Sequence, residues 1–302
     1  MTETFTTAVF AWLSLWLVLA LSLGVSWPLI RPGFTGSDPR RASALLLTWM
    51  GLPLLGSVML TTILYSPGLR PAVDHCHAGA CMAHGPSGDW AVWPAALLLA
   101  LIGFAGLRFA LRHCLPGLRL LRTLRTLGED RPGFTLLYDD SPAAFALGWL
   151  APRVFVTRGL LNACSREQVA IILRHEQAHL QRRDNLRLLL ASLFTLPLPR
   201  RWRRPLLRDH RLLCEQACDW IAAGSADRTE VAETVLSVAR LQMTAPAGCT
   251  AFAGHTEQRV RSLLRDRVEP PALGLRASPV FILALLVTQA VGPMHHLLEF
   301  LR

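Results

Sequence analysis

Leu173-Arg174-His175-Glu176-Gln177-Ala178-His179-Leu180 contains the pattern H-E-x-x-H, and the reading of the whole chain turns on it. Residues four apart on an α-helix stand one above the other on a single face. His175 and His179 can therefore aim both imidazoles at one metal ion, with Glu176 beside it. The pattern arises by chance in about one shuffled chain in a hundred, so its surroundings must separate a metal site from two solvated histidines on a basic helix. Ser165-Arg166-Glu167-Gln168 is an S-x-x-Q capping box that predicts a helix start, followed by Val169, Ile172, Leu173 and then the motif. Before it, Gly133 to Tyr138 and Arg153 to Thr157 are short β-branched or aromatic runs, separated by Asp139-Asp140-Ser141-Pro142 and closed by Gly159. They predict strands of a small sheet, one of them at an edge. Strand, turn and motif helix is the context the chemistry requires.

A catalytic zinc ion needs a third protein ligand and an open position for water. Downstream, Leu213-Cys214-Glu215-Gln216-Ala217-Cys218-Asp219 is predicted to lie on a helix from about Arg208 to Ala223, ending at Gly224. Glu215 and Asp219 share a face of that helix. One carboxylate can complete a His/His/Glu ligand set, and the other can accept a hydrogen bond from a ligand imidazole and fix its tautomer. An acidic pair on a solvated helix is the alternative, although neither carboxylate has a basic residue four positions further along the helix. Cys214 and Cys218 are expected to be small buried residues, since a structural cysteine site brings four ligands and no second pair is spaced for it. Pro197 and Pro199 are expected to end the motif helix. Arg200 to Pro205, with Trp202 among four arginines, predicts an interfacial turn on anionic headgroups, with a solvated basic loop as the alternative.

The chain of 302 residues is 52% hydrophobic and only 17% charged, too apolar for an ordinary soluble protein of this length. Its formal charge of +10 comes from arginine alone; no lysine is present. In a membrane protein such an excess marks the cytoplasmic side, and the sequence carries no recognisable nucleic-acid-binding motif. Apolar runs at about 5–29, 42–64 and 90–111 predict three transmembrane spans, and Ser278 to about Val291, reaching towards Met294, a fourth. The first is read as a retained span and not a cleaved signal, because it is long and has Glu3 where basic charge is expected. Arg31 to Arg41 predicts a short basic loop. Arg112, Arg119, Arg122 and Arg125 predict a helix emerging from the membrane. The expected organisation is three spans in 1–111, with an outer loop at 65–89, a cytoplasmic metallopeptidase domain in 112–276, and a fourth span with a short outer tail in 277–302. The fold class is then a mainly α integral membrane protein, with a cytoplasmic α+β protease domain inserted between the third and fourth spans.

The sequence resembles the bacterial antirepressor metallopeptidases of the BlaR/MecR type and, more distantly, the HtpX and CAAX-prenyl endopeptidases. The resemblance runs from about Gly133 to Asp266. It is carried by Phe145-Ala146-Leu147-Gly148, Pro152-Arg153-Val154-Phe155-Val156, Gly159-Leu160-Leu161, the H-E-x-x-H motif with Arg183-Asp184-Asn185, the Cys214 to Asp219 stretch, Ala251-Phe252-Ala253-Gly254 and Arg259-Val260-Arg261. It implies a gluzincin domain in a multi-pass protein of the bacterial inner membrane. His175, His179 and Glu215 would bind one Zn²⁺, Glu176 would be the general base, and Asp219 would support a ligand histidine. His255 and His210 are candidate oxyanion donors, and the edge strand near Phe145 to Gly148 would hold substrate by β-augmentation. The β-lactam sensors of that family carry a penicillin-binding domain after the fourth span; this sequence ends at Arg302, so β-lactam acylation is not implied.

His75-Cys76-His77-Ala78-Gly79-Ala80-Cys81-Met82-Ala83-His84 gathers three histidines, two cysteines and a methionine. Such soft donors suit an outer Cu(I) or Zn(II) ion, and a Cys76 to Cys81 disulfide is the alternative. The function expected is a zinc-dependent membrane endopeptidase cleaving a protein substrate, a cytoplasmic transcriptional repressor, in signal transduction. A quality-control membrane protease and a non-catalytic receptor are the alternatives.

Overall fold

The computed structural model describes residues 2–65, 92–225, 227–243 and 255–265. The His75 to His84 loop, the stretch 251–254 and the expected fourth span lie outside the described residues. Three apolar helices open the chain. Helix α1 (Thr2–Thr35) runs through Pro28 and Pro32, and α2 (Pro39–Tyr65) follows after residues 36–38 alone. The basic stretch expected as a loop from Arg31 to Arg41 is therefore mostly helical. Helix α3 (Val92–Phe109) passes through a π-helical turn (Ala110–Cys114) into α4 (Leu115–Leu127), one continuous rod. By length and composition Phe5–Thr35, Pro39–Tyr65 and Val92–Leu127 can each cross a membrane. On the third rod Trp93, Leu97, Phe104, Leu107 and Leu111 are exposed, as befits side chains whose solvent is lipid.

The strands β1 (Glu129–Arg131), β2 (Phe134–Leu137), β3 (Ala144–Leu147) and β4 (Arg153–Thr157) form one sheet of order β1-β2-β4-β3. β1 and β2 make a tight hairpin through Gly133, whose φ of +89° suits glycine. β2 and β4 run parallel, β3 and β4 antiparallel, which leaves β3 at the edge. Phe155 stacks on Phe145 in the adjacent strand and is fully buried with Leu121 and Leu137 beneath α4. The strand-turn at Thr157 caps the short helix α5 (Arg158–Ala163).

The capping box forms as the sequence predicts: Ser165 caps α6 (Arg166–Arg182), with reciprocal bonds to Gln168. The helix does not continue to the prolines. It stops at Arg183, which among the described residues is the only non-glycine with positive φ (52°), and α7 (Asp184–Phe194) starts in a new direction. Pro197 and Pro199 end α7, and α8 (Arg200–Ala222) begins at once, with Pro199 at its N-cap. Arg200 to Pro205 is thus the first turns of a helix and not a free turn. The chain closes over the site with α9 (Arg228–Met243) and α10 (Thr256–Leu263).

The α7–α8 hairpin packs on the α1–α2 hairpin as a four-helix layer. Leu23, Trp27, Phe34, Leu46, Trp49, Met50, Ala191, Leu198, Leu206 and Leu213 make its core. Close approach is needed at two glycines: a methyl group at Gly24 would sit 3.1 Å from Leu198 and Trp202, and one at Gly51 would sit 3.2 Å from Phe194. Arg31 at the end of α1 pairs with the buried Asp209 of α8 at 2.6 Å, and Arg182 reaches Ser43 of α2 at 2.8 Å. The sequence of α7 thus serves the membrane helices on one side and the site on the other.

Candidate active site

Helix α6 presents His175, Glu176 and His179 on the face that meets α8, and α8 presents Glu215 and Asp219 in return. All but His179 and Glu215 are buried, and those two are partly so. Nε2 of His175 lies 3.1 Å from Nε2 of His179. Glu215 faces both, with Oε2 3.5 Å from His175 Nε2 and Oε1 3.8 Å from His179 Nε2. The outer nitrogens of the two rings point away. His175 Nδ1 is 2.9 Å from Asp219 and His179 Nδ1 is 2.9 Å from Asp184.

Both carboxylates behind the rings are anchored by guanidinium groups. Arg259, on α10, donates to Asp219 at 2.8 and 2.6 Å and lies 3.4 Å from Glu215. Arg182 donates to Asp184 at 3.2 Å, and the Cys218 thiol donates to the same oxygen at 3.2 Å. Burial opposes ionisation of Asp219, but Arg259 and then His175 outweigh it and hold the carboxyl down at about 2. Asp184 likewise stays below the usual carboxylate range against its burial, through His179 and Arg182. Two ionised carboxylates accept, so each ring carries its proton on Nδ1 and turns the Nε2 lone pair inward.

Two lone pairs 3.1 Å apart, facing a third anionic ligand, repel one another unless a cation lies between them. Two nitrogens bound tetrahedrally at about 2.0–2.1 Å to one Zn²⁺ would be roughly 3.3 Å apart, close to the separation found. Oε2 of Glu215 is buried with no hydrogen bond and a longer ionic contact to Arg259 at 3.4 Å, which leaves acceptor capacity that a metal would take up. The carboxylates of Glu176, Asp184, Glu215 and Asp219 also outnumber the guanidiniums of Arg182, Arg187 and Arg259 set among them. The donor set fits a divalent ion. In the metal-free chain protons take part of that role: burial disfavours charging either imidazole, yet the facing carboxylates raise both above the ordinary histidine value, His179 the further.

Cys214 and Cys218 are buried and free. Burial pushes both thiols up, Cys218 to about 12, so neither offers a thiolate at neutral pH. Cys218 acts as a donor behind His179, and its Sγ is 3.3 Å from Nδ1 of that ring.

Glu176, 3% exposed, lies where two hollows meet. One is a cleft between the site and the sheet edge, lined by Ala144, Phe145, Ala146, Glu176, His179 and Glu215 among others. The other is mostly apolar, lined by Leu160, Ile171, Val231, Val235 and Val238 together with His175, Glu176, Asp219 and Arg259. Ala143 bonds inward to Thr157, so strand alternation turns the backbone of Ala144 and Ala146 outward, towards the cleft. Asn185 takes up the Ala146 and Gly148 carbonyls at 3.0 and 3.1 Å and fixes that strand to α7.

The two candidate oxyanion donors separate. His255 stands at the start of α10, half-buried and within the field of Glu215; burial, then Arg208, lowers its pKa. His210 is wholly buried against Asp184, Arg187 and Ser43, and lines neither hollow, so it is not placed to meet substrate. Asp184 and Arg259 stand in the sequence as parts of recognisable motifs, but their work as anchors of the histidines has no local signal. Asp184 follows an abrupt helix end that nothing but the fold reveals, and Arg259 comes from a distant helix.

No solved structure matches the chain. Residues 119–201 match the family model of peptidase family M48, a stretch that holds most of α4, the sheet and the H-E-x-x-H helix and stops short of Glu215; with the converging histidines, this match supports a metallopeptidase domain of that family in a chain with several membrane-length apolar helices.

Proposed function

We propose that the chain is a zinc-dependent membrane endopeptidase that cleaves an extended segment of a protein lying beside the membrane. The observation that carries the reading is the buried Glu176 carboxylate at the meeting of the ligand cluster and the outer edge of β3. His175, His179 and Glu215 would hold the ion. Zinc so held supplies a water of lowered pKa and a Lewis acid for the scissile carbonyl. Glu176 accepts the proton of the attacking water and returns it to the leaving amine. Asp219 and Asp184 keep the ligand rings in one tautomer, and Arg259 keeps Asp219 and Glu215 ionised and in place. The Ala144 N–H and C=O and the Ala146 N–H offer hydrogen bonds to a substrate strand, and His255, within the field of Glu215, would be the candidate second donor to the oxyanion.

At a finer level, the domain faces the bacterial cytoplasm and cuts a transcriptional repressor, as the resemblance to BlaR/MecR-type antirepressors suggests, with the His75 to His84 loop as an outer sensor of metal or redox state. The arginine excess on the interior segments supports that orientation. A purely docking domain has no use for a buried general base beside a metal-ligand cluster. Comparing the cleaved proteins of cells expressing the wild type and Glu176→Gln tests the proposal. A repressor fragment is expected with the wild type alone, at a cleavage rate higher by about 10²- to 10⁴-fold. Identical fragment sets would overturn it.

A further inference from the structure

The structure carries a ruler for how far the site stands from the bilayer. Helix α1 can cross a membrane from Phe5 to Thr35, about 46 Å at 1.5 Å per residue, whereas the hydrocarbon layer is about 30 Å thick, roughly 20 residues. About eleven residues of α1 therefore project beyond it. Where the projection begins is marked by the α7–α8 tip, since Gly24 is packed against Leu198 and Trp202. Phe5 to Gly24 makes up roughly the 20 residues that the hydrocarbon layer requires. Arg31 is the first charge on α1 beyond Gly24, and Arg108 on α3 comes after an uncharged stretch from Val92.

At that level the tip presents Arg200, Arg201 and Arg204, all exposed, and among the described residues none of the three has a carboxylate in ion-pair range. Arg201 lies over the Trp202 ring at 4.2 Å, and Trp202 is itself seated on α1. A tryptophan held at the boundary with cations around it is the pattern of a membrane interface. Arg203 differs: it is committed to the end of α7, bonding the Ser192 carbonyl at 3.1 Å. The free arginines thus form an outward-facing set distinct from those that hold the fold.

We propose that Arg200, Arg201 and Arg204 bind the phosphates of anionic phospholipids in the leaflet on the protease side, so that the metal site stands roughly 20 Å off that leaflet. The height follows from the packing. Gly24 meets Trp202, and Arg31 with Trp27 meets Asp209, so α8 ascends beside α1 in the same direction and in step. Glu215 lies thirteen residues beyond Trp202 on α8, about 20 Å at helical rise. This rests on the spans crossing a bilayer and deepens the peptidase reading: the bond that reaches Glu176 belongs to an extramembrane segment at that height, not to the lipid-buried part of a helix.

The test uses the full chain in nanodiscs of phosphatidylcholine with graded phosphatidylglycerol, with retained phosphatidylglycerol counted by native mass spectrometry. Arg200→Gln/Arg201→Gln/Arg204→Gln should lose anionic-lipid affinity by roughly fivefold per arginine, on the order of a hundredfold in all, while Arg211→Gln, on an exposed position farther along α8, should not. Inorganic phosphate should fail to displace the lipid; displacement would assign the site to a soluble phosphate and overturn the proposal, as would equal retention by the triple variant. A benzophenone amino acid in place of Arg204 should crosslink to phospholipid, and one in place of Arg211 should not. Equal crosslinking would overturn the height. None of these readouts needs peptidase activity, so their failure is distinct from failure of the peptidase reading.

Discussion

Asp184 and His179 lie on different helices, five residues apart, and are joined by a 2.9 Å contact across the left-handed residue Arg183. The reversal at Arg183 brings the first residue of α7 back beneath a ligand candidate on α6. It does for His179 what Asp219 does for His175, so each imidazole has its own carboxylate.

The first prediction follows from that pairing. Asp184→Asn keeps the shape but loses the acceptor charge that holds the proton on Nδ1. Zinc affinity should fall by about 10- to 100-fold, read by competition with a chromophoric chelator, while the melting midpoint of the metal-free chain shows that the fold persists. An affinity within twofold of the wild type would remove Asp184 from the site.

Arg259 links stability to the site. Its guanidinium bridges Asp219 and Glu215 from a helix otherwise remote in sequence, and its loss in Arg259→Met would leave the buried Asp219 and the partly buried Glu215 without their guanidinium partner. A destabilisation of about 3–5 kcal/mol is expected in the metal-free chain, and bound zinc should recover part of it. The folded pKa of Asp219, about 2, is below its unfolded value, so its contribution is fully present above about pH 4 and is lost as the pH falls towards 2. At neutral pH the wild type should have the whole benefit. Equal melting midpoints for both chains at pH 7 would refute the role.

Much of this arrangement is legible in the sequence where the information is local. His175, Glu176 and His179 follow from helical spacing, Glu215 and Asp219 from the same spacing on a second helix, and the start of α6 from its capping box. What the sequence hides is set by tertiary contact. Arg183 carries no mark of a left-handed turn, since glycine or asparagine is the usual signal. The apolar α7 is too short to span a bilayer and reads as a continuation of the motif helix; only its docking against Gly51 on α2 explains its composition. Pro28 and Pro32 suggest an end to α1 that packing against α8 overrides.

The apolar hollow beside Glu176 predicts a substrate preference. Leu160, Ile171, Val231, Val235 and Val238 offer an apolar wall to a hydrocarbon side chain, and Asp219 and Arg259, which also line the hollow, are already paired with each other. In a peptide library, leucine, isoleucine or phenylalanine should be favoured at one flanking position over aspartate or lysine, and Val235→Phe should narrow the preference to small residues. Each methylene excluded is worth about 1–3 kcal/mol of discrimination. A preference that Val235→Phe leaves unchanged would show that this hollow does not receive the substrate.

His210 gives the fold an acid limit. The ring is wholly buried, and desolvation, opposed by Asp184 and aided by Arg187, lowers its pKa to about 4, whereas the unfolded chain titrates near 6.5. The folded state therefore refuses a proton that the unfolded state accepts. Stability from this group is whole above about pH 6.5, is lost progressively as the pH falls to about 4, and is level below that. A shift of this size corresponds to about 3 kcal/mol across the window. His175 and His179 shift the other way in the metal-free chain, so the informative quantity is the difference between the wild type and His210→Phe, which keeps an apolar ring in the same place. The melting midpoint of the detergent-solubilised wild type should fall relative to that of His210→Phe between pH 7.5 and pH 5, because only the wild type carries the His210 term. Parallel pH profiles for the two chains would mean that the buried imidazole is not what limits the fold in acid.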